Sequence, residues 1–79
     1  MTLNDLRPRA ATSHVYEIEA LKGPEEVVQR LRELGFCEGG RLEVLGRLPF
    51  GGPWLVRLGV TSFALRSEEA RCAEVKVVA

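Results

Sequence analysis

The chain has 79 residues, which is room for one domain over 1–79 and a single small core. Lysine and arginine total 11 against 11 aspartate and glutamate, so a partner held by phosphate or an anionic lipid surface finds no basic excess. Hydrophobic residues at 46% and charged residues at 28% are proportions of a folded domain rather than a disordered segment. The longest stretch without charge, Leu48 to Val56, is far short of the ~20 residues that span a bilayer, and no membrane insertion is expected. The first residues lack the apolar run of a secretory signal. Cys37 and Cys72 fit two thiols in a reducing cytoplasm better than a disulfide scaffold, which carries a larger set.

In chain order, Thr2 and Asp5 carry a capping signal for one short helical turn that Arg7-Pro8 ends, with Leu3 and Leu6 on the side that closes over a core. From Ser13 to Ala20 the pattern alternates, which predicts a strand with Tyr16 and Ile18 inward. Pro24 to Leu34 reads as the main helix. Pro24 suits the first helical position, Glu25 and Glu26 sit at the positive end of the dipole, and Val27, Leu31 and Leu34 form one apolar stripe. Glu26 and Arg30 have the spacing of an ion pair. Gly35 supplies a left-handed cap, and Phe36 packs back on Leu31 as a Schellman motif requires.

Past Gly39-Gly40 the period becomes two. Leu42, Val44 and Gly46 share one face of a strand; Arg41, Glu43, Leu45 and Arg47 share the other. Pro49 ends that strand, Gly51-Gly52-Pro53 reads as the turn of a wide hairpin, and Trp54 to Leu58 returns. A turn near Gly59–Ser62 leads to Phe63-Ala64-Leu65-Arg66, and Ser67 caps a helical turn through Ala70. The last strand runs from Ala73 to Val78, with Val75 and Val77 alternating against Glu74 and Lys76. The fold expected is mainly β with short helices: a small, partly open β-barrel of about five strands, with one main helix after the first.

No catalytic constellation emerges. His14 is the only histidine, and the paired carboxylates Glu25-Glu26 and Glu68-Glu69 sit in first turns of helices, where the dipole accounts for them. The expectation is a protein that is not an enzyme and carries no cofactor. Cys37 and Cys72 lack any C-x-x-C or H-x-x-H companion, so no metal site is assigned; a transient divalent-ion site would draw on Cys37, Glu38 or His14. Nucleic acid is not expected either. The arginines are matched by acids, several of Tyr16, Phe36, Phe50, Trp54 and Phe63 are wanted by the core, and Pro53 removes a donor after Gly51-Gly52.

What remains is a surface for a protein partner. Leu45 and Leu55 fall on strand faces opposite the core set, Phe50 sits at a loop tip, and Trp54 is either core or rim. Leu45, Phe50, Trp54 and Leu55 are therefore the candidate partner-binding residues. The competing possibility is that a closing barrel buries Leu45 and Leu55 beneath the helix.

The run Arg30-Leu31-Arg32-Glu33-Leu34-Gly35-Phe36, followed by Gly39, resembles the bacterial FeoA family of ferrous-iron-transport accessory proteins. Pro49-x-Gly51-Gly52-Pro53 and Phe63-Ala64-Leu65-Arg66-x-x-Glu69-Ala70 continue the likeness, and Leu3-x-x-Leu6-x-Pro8 is similar to the family's start. Arg9 stands where the family usually places a glycine. The resemblance implies an SH3-like barrel with helical decoration. It also implies a cytoplasmic protein that binds the cytoplasmic part of FeoB, a membrane permease with a GTP-binding domain, and modulates ferrous-iron uptake. No catalytic residue is carried over. A similar domain ends the iron-dependent repressors of the DtxR type, here without a DNA-binding domain before it, which keeps open a second function: a metal-responsive regulatory domain that binds a divalent transition metal directly.

Overall fold

The computed structural model describes residues 1–6 and 14–78. A 3-10 turn at Leu3–Asp5 precedes β1 (His14–Leu21), α1 (Glu25–Leu34), β2 (Arg41–Arg47), β3 (Trp54–Leu58), β4 (Thr61–Leu65), α2 (Ser67–Ala70) and β5 (Ala73–Val77). All neighbouring strands are antiparallel, in the order β4-β3-β2-β1-β5. Five strands with the main helix after the first is the architecture that the alternation predicts. Among the described residues no pairing joins β4 to β5, so the sheet stays open.

One face of every strand feeds the same core. Tyr16, Ile18 and Leu21 come from β1, Leu42 and Val44 from β2, Trp54 and Val56 from β3, Leu65 from β4, and Ala73 and Val75 from β5. For strands at both ends of a sheet to reach one cluster, the sheet must curl. Register shifts between Ile18 and Ala20 in β1, and between Val44 and Gly46 in β2, are the bulges that bend it. Leu31 and Phe36 close the cluster from the helix side, and Leu3 and Leu6 from the N-terminal turn. That turn is held by Asp5, whose carboxylate accepts from the backbone N–H and the hydroxyl of Thr2, each at 3.0 Å. These bonds hold the Asp5 carboxyl below its ordinary value, the backbone donor contributing most.

The helix end is a complete Schellman motif. Gly35 is left-handed at φ 109°, its N–H donates to the carbonyl of Arg32, and the N–H of Phe36 donates to that of Leu31, both at 3.0 Å. Phe36 is thereby turned inward and fully buried.

Several local expectations give way to tertiary contacts. Arg30 reaches Glu69 at 3.3 Å rather than Glu26, because Glu69 is held almost buried by the N–H of Arg66 (2.9 Å) and offers a fixed carboxylate. That same bond replaces the predicted Ser67 cap: Arg66 is the cap residue, and the Ser67 hydroxyl instead accepts from Arg47 at 2.8 Å. The turn near Gly59–Ser62 tightens to Gly59-Val60, with Thr61 and Ser62 already in β4. Val77, expected to share the face of Val75, is exposed where β5 ends. The predicted break at Arg7-Pro8, together with Arg9 and Ser13, lies outside the described residues.

Two measurements check this account. At Gly35 an added Cβ meets nothing within 4 Å, so Gly35→Val tests the backbone alone and should cost about 1 kcal/mol or more. In a domain of this size that lowers the Tm by about 4–8 °C; an unchanged melt would refute the left-handed cap. Trp54 is fully buried and its indole N–H donates to Asn4 Oδ1 at 3.1 Å, so Trp54→Ala should cost about 3–5 kcal/mol by chemical denaturation.

Candidate interaction site

The β2–β3 hairpin gathers most of the exposed apolar surface predicted from sequence. At the β2 bulge Leu45 is the extra residue, left without a partner in β3, and it stays 41% exposed. Gly46 then pairs with Leu55, which pairs on its other side with Ala64. Neither neighbour has bulk enough to cover Leu55, which is half-buried.

Beyond the strands the loop is held from inside. The N–H of Leu48 donates to the carbonyl of Pro53 at 3.0 Å, and the N–H of Gly52 is shared between the carbonyls of Leu48 and Pro49 at 3.2 Å. The backbone passes so close that a Cβ on Gly52 would lie 2.9 Å from the Leu48 Cβ, which explains a glycine there. Arg47 locks the base: its Nε donates to the Gly52 carbonyl at 3.1 Å and its guanidinium lies 4.8 Å from the centre of the Trp54 ring. With Ser67 as a third contact, this arginine is turned inward rather than offered to a partner.

On this stiff base Phe50 is held wholly outside. Its side chain is fully exposed, and it is the only non-glycine with positive φ, at 61°, among the described residues. A left-handed conformation costs a side-chain-bearing residue about 1–2 kcal/mol, and an exposed ring recovers none of that by burial. Leu48, 45% exposed, stands beside it in the same loop.

Of the four predicted contact residues, Leu45, Phe50 and Leu55 lie on or above the outer side of this hairpin. Trp54 does not. It is core, and its role is to carry Arg47 and Asn4 rather than to meet a partner. The rim alternative fails because β3 alternates in phase with Val56, which also points into the core. The burial of Leu45 and Leu55 beneath the helix does not occur either, since α1 packs on the opposite face with Leu31. Sequence reasoning missed Leu48, because a residue between a strand and Pro49 has no periodicity to assign it a face. Its place beside Pro49-Phe50 at a hairpin mouth was the available signal.

The polar residues named for a divalent ion are not assembled. Cys37 and Glu38 precede the segment that meets the middle of β1, where Ile18 exchanges backbone bonds with Gly39 and Gly40. His14 lies four residues away along that strand, roughly 13 Å, edge-on to Tyr16. Both Glu38 oxygens accept from Arg32, at 3.0 and 3.1 Å, and that guanidinium lowers the Glu38 carboxyl from its ordinary value. Cys72 is buried, its thiol 3.4 Å from the Glu68 carbonyl; burial, and then the charge of Glu69, pushes its pKa up, away from the thiolate that metals bind. Among the described residues no group of three or more such ligands occurs.

The FeoA domain model matches residues 1–77. No curated protein matches the sequence. Among solved structures, the FeoA of Stenotrophomonas maltophilia in complex with zinc, described as a prokaryotic SH3 domain protein, is 36% identical. It superposes with a TM-score of 0.73 over 96% of this chain and 89% of its own. The iron(II) transport protein A of Clostridium thermocellum is 31% identical with a TM-score of 0.83, over 99% of this chain and 46% of that one. The manganese regulator SloR is 14% identical with a TM-score of 0.82, a likeness of fold alone, and this chain spans 34% of its length. The curled five-stranded sheet is thus SH3-like, and the chain belongs to the FeoA domain family.

Proposed function

We propose that this protein is a non-enzymatic accessory module of ferrous-iron uptake, acting in the cytoplasm by binding the cytoplasmic part of a FeoB-type permease. Family membership supports the process, and the observation that carries the binding mode is Phe50. An aromatic ring is held fully exposed, at a conformational cost, on a hairpin otherwise tied down by hydrogen bonds. Stability alone would favour glycine or asparagine there. A ring that enters a pocket on a partner returns its burial energy at binding, which is the behaviour of an interface anchor. Leu45, Leu48 and Leu55 then form the apolar surround. Modulation follows if this surface has different affinities for different states of the permease.

The metal-responsive reading has one point in its favour: a relative of known structure holds zinc. The separation of His14 from Cys37, and the engagement of Glu38 by Arg32, favour the partner-binding reading for this chain.

The test is an NMR titration of labelled protein with the soluble cytoplasmic domain of the cognate permease, with and without a GTP analogue. Shifts are expected to cluster on residues 45–55. Phe50→Asn should weaken binding at least about tenfold while leaving the Tm at or above that of the parent, since asparagine tolerates left-handed backbone. Loss of affinity with a parallel loss of Tm would mean the ring is structural. No shift at saturating domain would refute this mode of contact.

A further inference from the structure

We propose that β4 is a self-pairing edge, through which two copies of this chain join antiparallel, centred on Phe63, into one continuous sheet. The inference is independent of the hairpin surface.

The two edges of the sheet differ in protection. β5 carries Glu74 and Lys76, and the N-terminal segment covers part of it: the Val75 N–H donates to the Met1 carbonyl at 2.8 Å, and Thr2 bridges Glu74. β4 reads Thr-Ser-Phe-Ala-Leu, with no charge and no proline, and its register with β3 runs unbroken over five pairs. Charges, prolines and bulges are the devices by which edge strands avoid pairing with other chains, and β4 has none of them.

Geometry says which groups face outward. The hairpin turn has two residues, Gly59 at φ 60° and Val60, so Leu58 and Thr61 close it as a hydrogen-bonded pair. Alternation then makes Val56–Phe63 and Trp54–Leu65 hydrogen-bonded pairs, and turns the N–H and C=O of Ser62 and Ala64 toward the open edge. Both residues are exposed, and no backbone bond outside the β3–β4 ladder reaches either among the described residues.

A second copy fits this edge better than an unrelated strand does. With Phe63 opposite its own mate, Ser62 faces Ala64 of the other copy twice, and the two pairs exchange four backbone hydrogen bonds. Thr61 faces Leu65, so no like charges meet anywhere in the register. The Phe63 ring, half-buried against Phe36 (centroids 6.2 Å apart), gains a neighbour on its open side. The formal net charge is zero, so two copies approach without long-range repulsion. Five paired residues a side make a contact smaller than a standard stable interface of ~1,600 Å², so the association is weak and needs high protein concentration.

Sedimentation velocity and NMR on the whole chain, from about 20 µM to about 2 mM, test this. The expected result is a rise in sedimentation coefficient with amide shifts confined to Thr61–Leu65. Ala64→Pro removes an outward N–H, and with it two of the four bonds, without touching the β3 ladder. It should weaken association at least tenfold in a protein with an unchanged core spectrum. Should that variant fail to fold, the double substitution Ser62→Lys, Ala64→Lys sets like charges opposite each other in both pairs and should abolish dimerisation. A monomer throughout the range would overturn the proposal, as would a dimer with shifts on the hairpin or one indifferent to these substitutions. Edge shifts that appear only on adding the permease domain would overturn it as well, assigning β4 to a different strand. Phe50→Asn should dimerise normally, so this proposal and the hairpin reading fail separately.

Discussion

Trp54 is the residue on which the arrangement hangs. It begins β3, pairs with Arg47 across β2 and with Leu65 across β4, and is wholly enclosed. The one polar atom of its side chain is satisfied by Asn4, which ties the N-terminal turn to the start of β3. Its ring face carries Arg47, and Arg47 in turn binds the loop carbonyl of Gly52 and the hydroxyl of Ser67. One indole therefore connects the first turn, the hairpin loop and α2. A large aromatic with a single donor suits such a place, because it brings broad apolar area and only one hydrogen bond to provide for.

A small domain has little stability to spare, so where it tolerates strain is informative. Glycine occupies the other left-handed positions of the described residues, including the helix cap at Gly35, and strain is avoided there. At Phe50 it is not avoided. The loop around it is closed by three backbone bonds and the Arg47 contact, which fix the backbone that carries the ring. Rigidity at the base and exposure at the tip belong together: a preorganised anchor loses less conformational freedom on binding than a mobile one. The same design explains why the arginine nearest the apolar residues faces inward.

The hairpin tip and the β4 edge use different physics. The first offers side chains and gains by burying area; the second offers backbone donors and acceptors in a fixed order. Because β4 is outermost in the sheet while Phe50 projects from the loop between β2 and β3, pairing at the edge leaves the ring in place, and the two surfaces adjoin at Leu55, which pairs with Ala64.

Elements governed by neighbours in sequence were legible in the sequence. The α1 helix with its Gly35-Phe36 end, the Thr2–Asp5 turn, the alternating strands and the Gly51-Gly52-Pro53 loop all rest on periodicity or on backbone conformations that particular residues demand. The inward set Tyr16, Ile18, Leu42, Val44 and Val56 follows from the same period. The family likeness, likewise, is a property of ordered motifs along the chain. Which of several eligible partners a side chain takes was decided only in three dimensions. Arg30 chose Glu69 over Glu26, Ser67 served Arg47 instead of its own helix, and Trp54 entered the core although its alternation also allowed a rim position. The exposure of Leu45 and Leu48 belongs to this second group: the period puts Leu45 on the outer face, but the bulge that leaves it without a partner, and the loop closure that places Leu48, exist only in the folded chain. Period assigns a residue to a face, but only the path of the neighbouring strands says whether that face is covered.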